Sequence, residues 1–175
     1  MTEGISVIAG LPPIDLQIIE RRERYTGVDG NTARQNLMRK WQHEWENGKY
    51  GRWTYSLIPA IERWINRAQG EVDYFITQAL SGHGCYRKYL YERRKVVSRK
   101  CTYCDQVDDV EHTLFACSRW NEYRNVFYSE VGNGFSPVSM MDCLLNTETT
   151  WKKAYKTIRS IIEVKEREER LNRIT

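Results

Sequence analysis

The chain has 175 residues and a net charge of +4, and 41% of its residues are hydrophobic, enough for the core of one ordinary domain or of a compact domain with a small annex. It contains no run of about 18 apolar residues, and its first residues lack the basic segment of a signal peptide, so we expect neither a membrane span nor secretion. The five cysteines are an odd number, and the two outside the stretch 101–117, Cys85 and Cys143, are too few and too isolated for a disulfide framework. This favours a reducing intracellular compartment, the cytoplasm and nucleus.

Proline, glycine and capping signals divide the first part of the chain into predicted helices. Asn31 or Thr32 is expected to cap the second helix, and Pro59 to open the third. The pattern predicts helices over 14–25, about 31–47, 59–70, 73–80 and 86–94. The only candidate strand is a short one over 5–9.

Amphipathic spacing also predicts helices in the second part of the chain. One begins near Trp120, a short one is capped by Ser139, and the last carries apolar residues from Trp151 to Ile162. The charged tail after Val164 is expected to extend the last helix into solvent and fray there. We therefore predict a mainly α fold. Between the two groups of helices, Cys101, Cys104, His112 and Cys117 have the spacing of an embedded CCHC zinc module. The predicted organisation is a lead-in (1–30), a helical region ending in a basic helix (31–100), the zinc knuckle (101–120) and C-terminal helices with a charged tail (121–175).

The aromatic residues recur at helical spacing, which is the usual mark of a buried face. One such stripe could instead stack on a nucleobase, as aromatic side chains do in proteins that bind single strands. The residues concerned are Trp41, Trp45, Trp64, Trp120, Tyr123, Phe127, Trp151 and Tyr155.

Cys101, Cys104, His112 and Cys117 form the motif C-x2-C-x7-H-x4-C. Two intervening residues let the first two sulfurs converge from one tight turn, and four residues place His112 and Cys117 about one helical turn apart. Three thiolates and one imidazole within 17 residues are the ligands of a closed tetrahedral zinc site. The alternative is a group of buried thiols that pack as small hydrophobic residues. Because aspartates fill the interval, we predict one structural Zn²⁺.

The positive charge of the chain is concentrated directly before the first cysteine. Between Tyr86 and Lys100 there are seven basic residues and a single acidic residue, Glu92, so the rest of the chain is net negative. A run of charge is usually only a solvated face, but beside a zinc motif it favours contact with phosphates. The predicted nucleic-acid contacts are Arg87, Lys88, Arg93, Arg94, Lys95, Arg99 and Lys100, with Tyr86, Tyr89 and Tyr91 available to stack on unpaired bases.

Catalytic signatures are absent from the sequence: it has no glycine-rich phosphate loop, no G-x-S-x-G and no H-E-x-x-H. Gly82-His83-Gly84-Cys85 could supply a nucleophile pair or a second metal half-site, but it lacks a nearby acidic partner, so we interpret it as a loop between helices. His43 is expected at the surface, and Asp105, Asp108 and Asp109 are expected to keep the zinc loop solvated. We predict no enzymatic activity and no small-molecule substrate.

Four segments carry a resemblance to a known family. In chain order they are Lys40–Trp45, Gly51–Pro59, Gln78–Leu90 and the metal motif continued through Phe115 to Trp120. Together they resemble the region downstream of the reverse transcriptase in open reading frame 2 of non-LTR retrotransposons, and are most similar to arthropod elements that insert into ribosomal DNA or telomeric repeats. The lead-in over 10–22 resembles the stretch that precedes this region.

The resemblance implies a role in holding RNA or target DNA during target-primed reverse transcription, with Cys101, Cys104, His112 and Cys117 as metal ligands. The paired aspartates of the polymerase and the acidic and histidine residues of the endonuclease have no counterpart in this sequence. The chain therefore resembles a truncated or separately encoded C-terminal segment that neither polymerises nor cuts, whose partners are RNA, DNA and the reverse transcriptase part of a parent polyprotein. The alternative is a zinc-stapled scaffolding domain, in which tryptophan-rich helices dock a protein partner, or a decayed remnant of a retroelement.

Overall fold

Helices form nearly all of the regular structure in residues 3–172, the part of the chain that a computed structural model describes, and this part contains no strand. The prediction of a mainly α fold is confirmed. The first two residues of the predicted lead-in and the last three of the predicted tail lie outside the described residues. No helix within 3–172 is long and apolar enough to cross a bilayer. The chain divides into two compact units between Asn66 and Arg67.

The first unit consists of five helices within its described part: α1 (Glu3–Ala9), α2 (Ile14–Tyr25), α3 (Gly30–Asn47), α4 (Arg52–Leu57) and α5 (Ile61–Ile65). The predicted strand over 5–9 is wrong, because Gly4, Val7 and Ile8 form a buried helical face in α1. Asp29, rather than Asn31 or Thr32, caps α3 by accepting a hydrogen bond from the Thr32 amide at 3.0 Å.

Three of the four tryptophans of the first unit lie in its core, as their spacing predicted. Trp41, Trp45 and Trp64 are at most 2% exposed. The indole N–H of Trp45 donates to the carbonyl of Ile58 at 2.8 Å, and that of Trp64 donates to the carbonyl of Ile8 at 3.1 Å. These bonds satisfy the indole N–H groups of Trp45 and Trp64. The helix predicted to run from Pro59 to Gly70 is shorter and ends at Ile65.

The second unit contains α6 (Tyr74–Ser81), α7 (Arg87–Glu92), a π turn (His112–Ala116), a 3₁₀ turn (Ser118–Trp120), α8 (Asn121–Val131), α9 (Pro137–Asn146) and α10 (Glu148–Leu171). The long helix α10 contacts α6, α8 and α9. Its residues Ile158, Ile161 and Ile162 are fully buried, as are Met140 and Leu144 of α9, which α10 contacts. Trp120, Phe127 and Trp151 are also buried, as predicted.

Two helix ends in the second unit differ from the prediction. Ser136 caps α9, and Ser139 is its partner in a reciprocal capping box. The helix begins earlier than predicted because Pro137 occupies its first position, where a proline is favoured. The charged tail extends α10 to Leu171, as predicted, but one face of it is buried, since Lys165 and Glu169 are each 3% exposed. Both side chains are buried because they pair with oppositely charged groups, which a charge pattern alone does not reveal.

Candidate metal centre

A tight hairpin brings the first two cysteines together. Lys100 pairs with Val107 in an isolated antiparallel bridge, and the Cys101 amide donates to the carbonyl of Gln106 at 2.7 Å. Asp105 closes the hairpin in the left-handed conformation, with φ of +60°, which aspartate tolerates better than most residues. The amide of Tyr103 lies 3.5 Å from the Cys101 sulfur and donates to it. The two-residue spacing therefore gives the convergent geometry that the sequence predicted.

A single π turn carries the second pair of candidate ligands. The Cys117 amide donates to the carbonyl of His112 at 2.8 Å, closing a turn of five residues instead of the α turn expected. Asp109 begins this turn, because its carboxylate accepts from the His112 amide at 3.0 Å. The guanidinium of Arg124 donates to the carbonyls of Leu114 and Cys117 and so braces the end of the turn. Neither role of Asp109 or Arg124 was anticipated from the sequence.

The four candidate ligand atoms form a compact cluster and all lie within 4.8 Å of one another. The Cys117 sulfur is 3.8 Å from that of Cys101 and 3.9 Å from that of Cys104. The Cys104 sulfur is 3.1 Å from Nε2 of His112. Tetrahedral zinc with metal–sulfur bonds of about 2.3 Å separates its sulfur ligands by about 3.8 Å, so this spacing fits one zinc ion.

The chemistry of the cluster also favours a soft divalent cation. Cys101 and Cys117 are buried, and in the metal-free chain burial, together with the neighbouring thiols Cys101 and Cys104, raises the pKa of Cys117 to about 12. A bound cation would reverse this preference for the thiol form by stabilising the thiolates. Three sulfur atoms and one imidazole select zinc over magnesium or calcium, and four protein ligands leave no open coordination position for a water molecule. The cluster is therefore suited to a structural metal.

A buried ion network connects residues 101–120, which carry the candidate ligands and are called the metal segment below, to α10. The carboxylate of Asp108, 1% exposed, accepts from the Arg87 amide at 2.9 Å, the Thr113 hydroxyl at 2.7 Å and the Lys165 ammonium at 2.7 Å. Burial alone lowers the pKa of Lys165, but the attraction and hydrogen bond of Asp108, together with smaller contributions from Cys85 and Glu169, outweigh burial and raise the pKa. Glu169 extends the network by pairing with Arg87 at 3.2 Å. The prediction that Asp108 keeps the loop solvated is wrong, since its charge is compensated internally.

The carboxylate of Glu168 in α10 binds residues near both ends of the metal segment. One carboxylate oxygen accepts from the Tyr103 hydroxyl at 2.5 Å, and the other from the guanidinium of Arg119 at 2.7 Å. Tyr103 lies between the first two cysteines, and Arg119 lies two residues after Cys117. One side chain of α10 thus bridges the segment that supplies the first ligands and the segment that supplies the last.

The predicted basic segment divides into paired and unpaired residues. Three of the seven make ion pairs: Arg87 with Glu169 at 3.2 Å, Lys88 with Asp109 at 3.3 Å and Lys100 with Asp105 at 2.8 Å. Arg93, Arg94, Lys95 and Arg99 are exposed, and within residues 3–172 none of them forms an ion pair. The carboxylates in these pairs belong to the metal segment and to α10. They neutralise only part of the positive charge of the basic segment.

The three tyrosines predicted to stack on bases occupy different environments. Tyr86 is 0% exposed, which is incompatible with the predicted stacking on a base, and burial raises the pKa of its hydroxyl far above the usual range. Tyr89 is half-buried and stacks on His83, and Tyr91 is 48% exposed. His83 lies outside the cluster of candidate ligands, and His43 is exposed, both as the sequence indicated.

Taken together, the fold and the cluster define a mainly helical chain with a Cys₃His site that could hold a metal ion. No family model matches the chain, and no solved structure resembles it. The chain is, however, similar to two retrovirus-related Pol polyproteins from type-1 retrotransposable elements of Nasonia vitripennis. It is 26% identical to that of R1 4 over 67% of the chain and 30% of the relative, and 25% identical to that of R1 2 over 71% of the chain and 36% of the relative.

A third relative is the Pol polyprotein from the R1 element of Bradysia coprophila, 25% identical over 67% of the chain and 12% of the relative. The chain thus spans between about an eighth and about a third of the length of these relatives. The similarity supports an origin in a retrotransposon polyprotein, as the sequence motifs indicated. The more specific assignment, to the C-terminal zinc-knuckle region, stays a prediction.

Proposed function

We propose that this chain is a zinc-dependent nucleic-acid-binding module of a retrotransposon polyprotein, which holds template RNA or target DNA for a polymerase located elsewhere in the parent protein. The observation that carries this proposal is the set of exposed, unpaired cations Arg93, Arg94, Lys95 and Arg99 directly before the metal cluster. Such cations bind phosphates and release counterions, whereas paired cations already have a partner. The closed ligand set gives the metal a structural role and leaves the proposed function without a catalytic step.

The zinc ion would hold the exposed cations in place through the segment that follows them. The Asp108 amide donates to the carbonyl of Arg99 at 3.0 Å, and the Lys88 amide donates to the carbonyl of Asp108 at 2.9 Å. The backbone near each end of the basic segment, at Lys88 and at Arg99, is therefore hydrogen-bonded to the backbone of Asp108. Asp108 lies between the first and the second pair of candidate ligands in the chain. Binding of nucleic acid and binding of zinc should consequently be coupled.

The test measures binding to fluorescein-labelled single strands and duplexes of RNA and DNA over a series of salt concentrations, with and without chelator. We expect the wild-type log–log salt slope for single strands to be about −0.7 per phosphate contacted. Lys95→Ala/Arg99→Ala should reduce its magnitude by about 1.4, because each lysine or arginine neutralises one phosphate. Arg21→Ala/Arg22→Ala removes two exposed charges from α2 and is the matched control, expected to retain the wild-type slope. An affinity independent of salt, or equal losses in the two variants, would contradict the proposal.

Protein docking is the second candidate function. The tryptophans that the sequence suggested for this role are mostly buried in their own units, but α2 exposes an apolar stripe at helical spacing. Ile14, Ile18 and Tyr25 are 70%, 61% and 92% exposed, and Arg21 lies on the same face. This stripe suits an acidic amphipathic helix of a partner. Docking becomes the leading candidate if the wild-type protein binds none of the oligonucleotides at low salt.

A further inference from the structure

The Gly-His-Gly loop between α6 and α7 carries a stacked pair of aromatic rings. The imidazole of His83 lies 4.7 Å from the ring of Tyr89, centroid to centroid, with an interplanar angle of 27°. The guanidinium of Arg93 lies over the same tyrosine at 5.3 Å. Three planar groups from the loop, from α7 and from the residue after α7 thus form one stack.

Two glycines with positive φ hold His83 in this position. Gly82 ends α6 with φ of +69°, and Gly84 has φ of +144°. A Cβ at Gly84 would lie 1.8 Å from Oε1 of Gln78, the atom that accepts the Cys85 amide hydrogen bond. The histidine therefore projects from a loop whose backbone is fixed on both sides, so its place in the stack is set before any ligand arrives.

The polar atoms of the stack are free to contact a ligand. Neither ring nitrogen of His83 nor the hydroxyl of Tyr89 hydrogen-bonds to any residue in the described part of the chain, and both side chains are half-buried. Burial, assisted by the nearby Arg93, lowers the pKa of His83, so the imidazole is neutral at neutral pH. The exposed cations Arg94 and Lys95 follow directly in the chain.

We propose that the His83–Tyr89–Arg93 stack is a platform for an unpaired nucleobase, which makes single-stranded nucleic acid the ligand of this surface. This inference rests on the proposed function, because the neighbouring cations must hold the phosphates of the same strand. Planar side chains beside a cationic segment are the common device for binding single strands, since every base presents a π face. A duplex keeps its bases stacked on one another and gains nothing from the platform.

The test compares two fluorescein-labelled single strands of about twelve nucleotides, a length within the range that one such surface contacts. One strand carries all its bases, and the other has the same phosphates with abasic central positions. For the complete protein with zinc bound, His83→Ala should weaken binding to the base-bearing strand by at least about fivefold and leave the abasic strand unchanged. His43→Ala, which removes an exposed histidine from α3, should change neither affinity. A 2-aminopurine in the central positions should lose fluorescence on binding to the wild-type protein but not on binding to His83→Ala.

The possible results separate this inference from the proposed function. An equal loss of affinity for both strands in His83→Ala, or no loss for either, would overturn the platform, while a steep salt dependence would still support the nucleic-acid-binding role. If the wild-type protein binds neither strand at low salt, both proposals fail. Circular dichroism of each variant checks that the helices are intact.

Discussion

At the scale of single residues, the metal segment depends on one buried carboxylate. Asp108 accepts hydrogen bonds from a backbone amide, a hydroxyl and an ammonium group, each supplied by a different part of the chain. Its partner Lys165 is 57 residues away in sequence, so no local pattern could reveal the pair. The four candidate metal ligands, by contrast, lie within one short window whose spacing itself indicates convergence. This is why the clustering of the candidate ligands could be predicted and the contacts that support them could not.

Asp108→Asn tests the importance of this carboxylate. We expect the variant to lower the free energy of unfolding by about 3 kcal/mol, because it removes the closer of the two carboxylates that compensate the buried ammonium of Lys165 and leaves only Glu169, at 3.7 Å. Asp105→Asn is the matched control in the same loop. Its ion pair with Lys100 is exposed, and asparagine accepts the left-handed conformation, so the cost should stay below about 1 kcal/mol. Urea unfolding of the zinc-bound proteins measures both values, and similar losses in the two variants would argue against a special role for Asp108.

At the scale of helices and their connections, most elements follow from periodicity, but their ends depend on particular contacts. The strand predicted over 5–9 belongs to α1, because a short apolar run suits either structure and only the burial of Gly4, Val7 and Ile8 distinguishes them. The C-terminal part of α10 is packed because Lys165 forms an ion pair with Asp108 of the metal segment and Glu169 forms one with Arg87 of α7. Such pairings join residues distant in sequence, which a periodic pattern cannot encode.

The connection between α6 and α7 gives a prediction at this scale. Gly84→Ala should lower the free energy of unfolding by more than about 2 kcal/mol, because it adds a collision with Gln78 to the strain of a positive φ. Gly132→Ala at the end of α8 also has a positive φ, but apart from its chain neighbours no atom lies within 4 Å of its new Cβ. That control should cost about 1 kcal/mol from strain alone. Thermal and urea unfolding distinguish the two values, and an equal cost would show that the contact with Gln78 is not important.

At the scale of the whole molecule, the metal segment is part of the folded second unit and not a separate appendage. Asp108 pairs with Lys165, and Tyr103 and Arg119 share Glu168, so ligand-bearing turns and α10 support one another. A cation that binds the folded cluster and not the unfolded chain stabilises the folded state by its binding free energy. Removing the metal should therefore affect α10 as well as the short segment that supplies the ligands.

Metal analysis combined with chelation tests this coupling. The purified chain should contain one zinc ion, and replacement by cobalt should give the absorption of a tetrahedral thiolate site. Chelation should lower the helical signal in circular dichroism and increase hydrogen exchange over 165–171 of α10, because the contacts made by Lys165, Glu168 and Glu169 lose their fixed partners. Cys117→Ala should abolish stoichiometric zinc binding and reproduce the exchange of the chelated protein. Cys143→Ala removes a buried thiol outside the cluster and should retain one zinc ion. Retention of stoichiometric zinc by Cys117→Ala would show that the cluster is not the metal site.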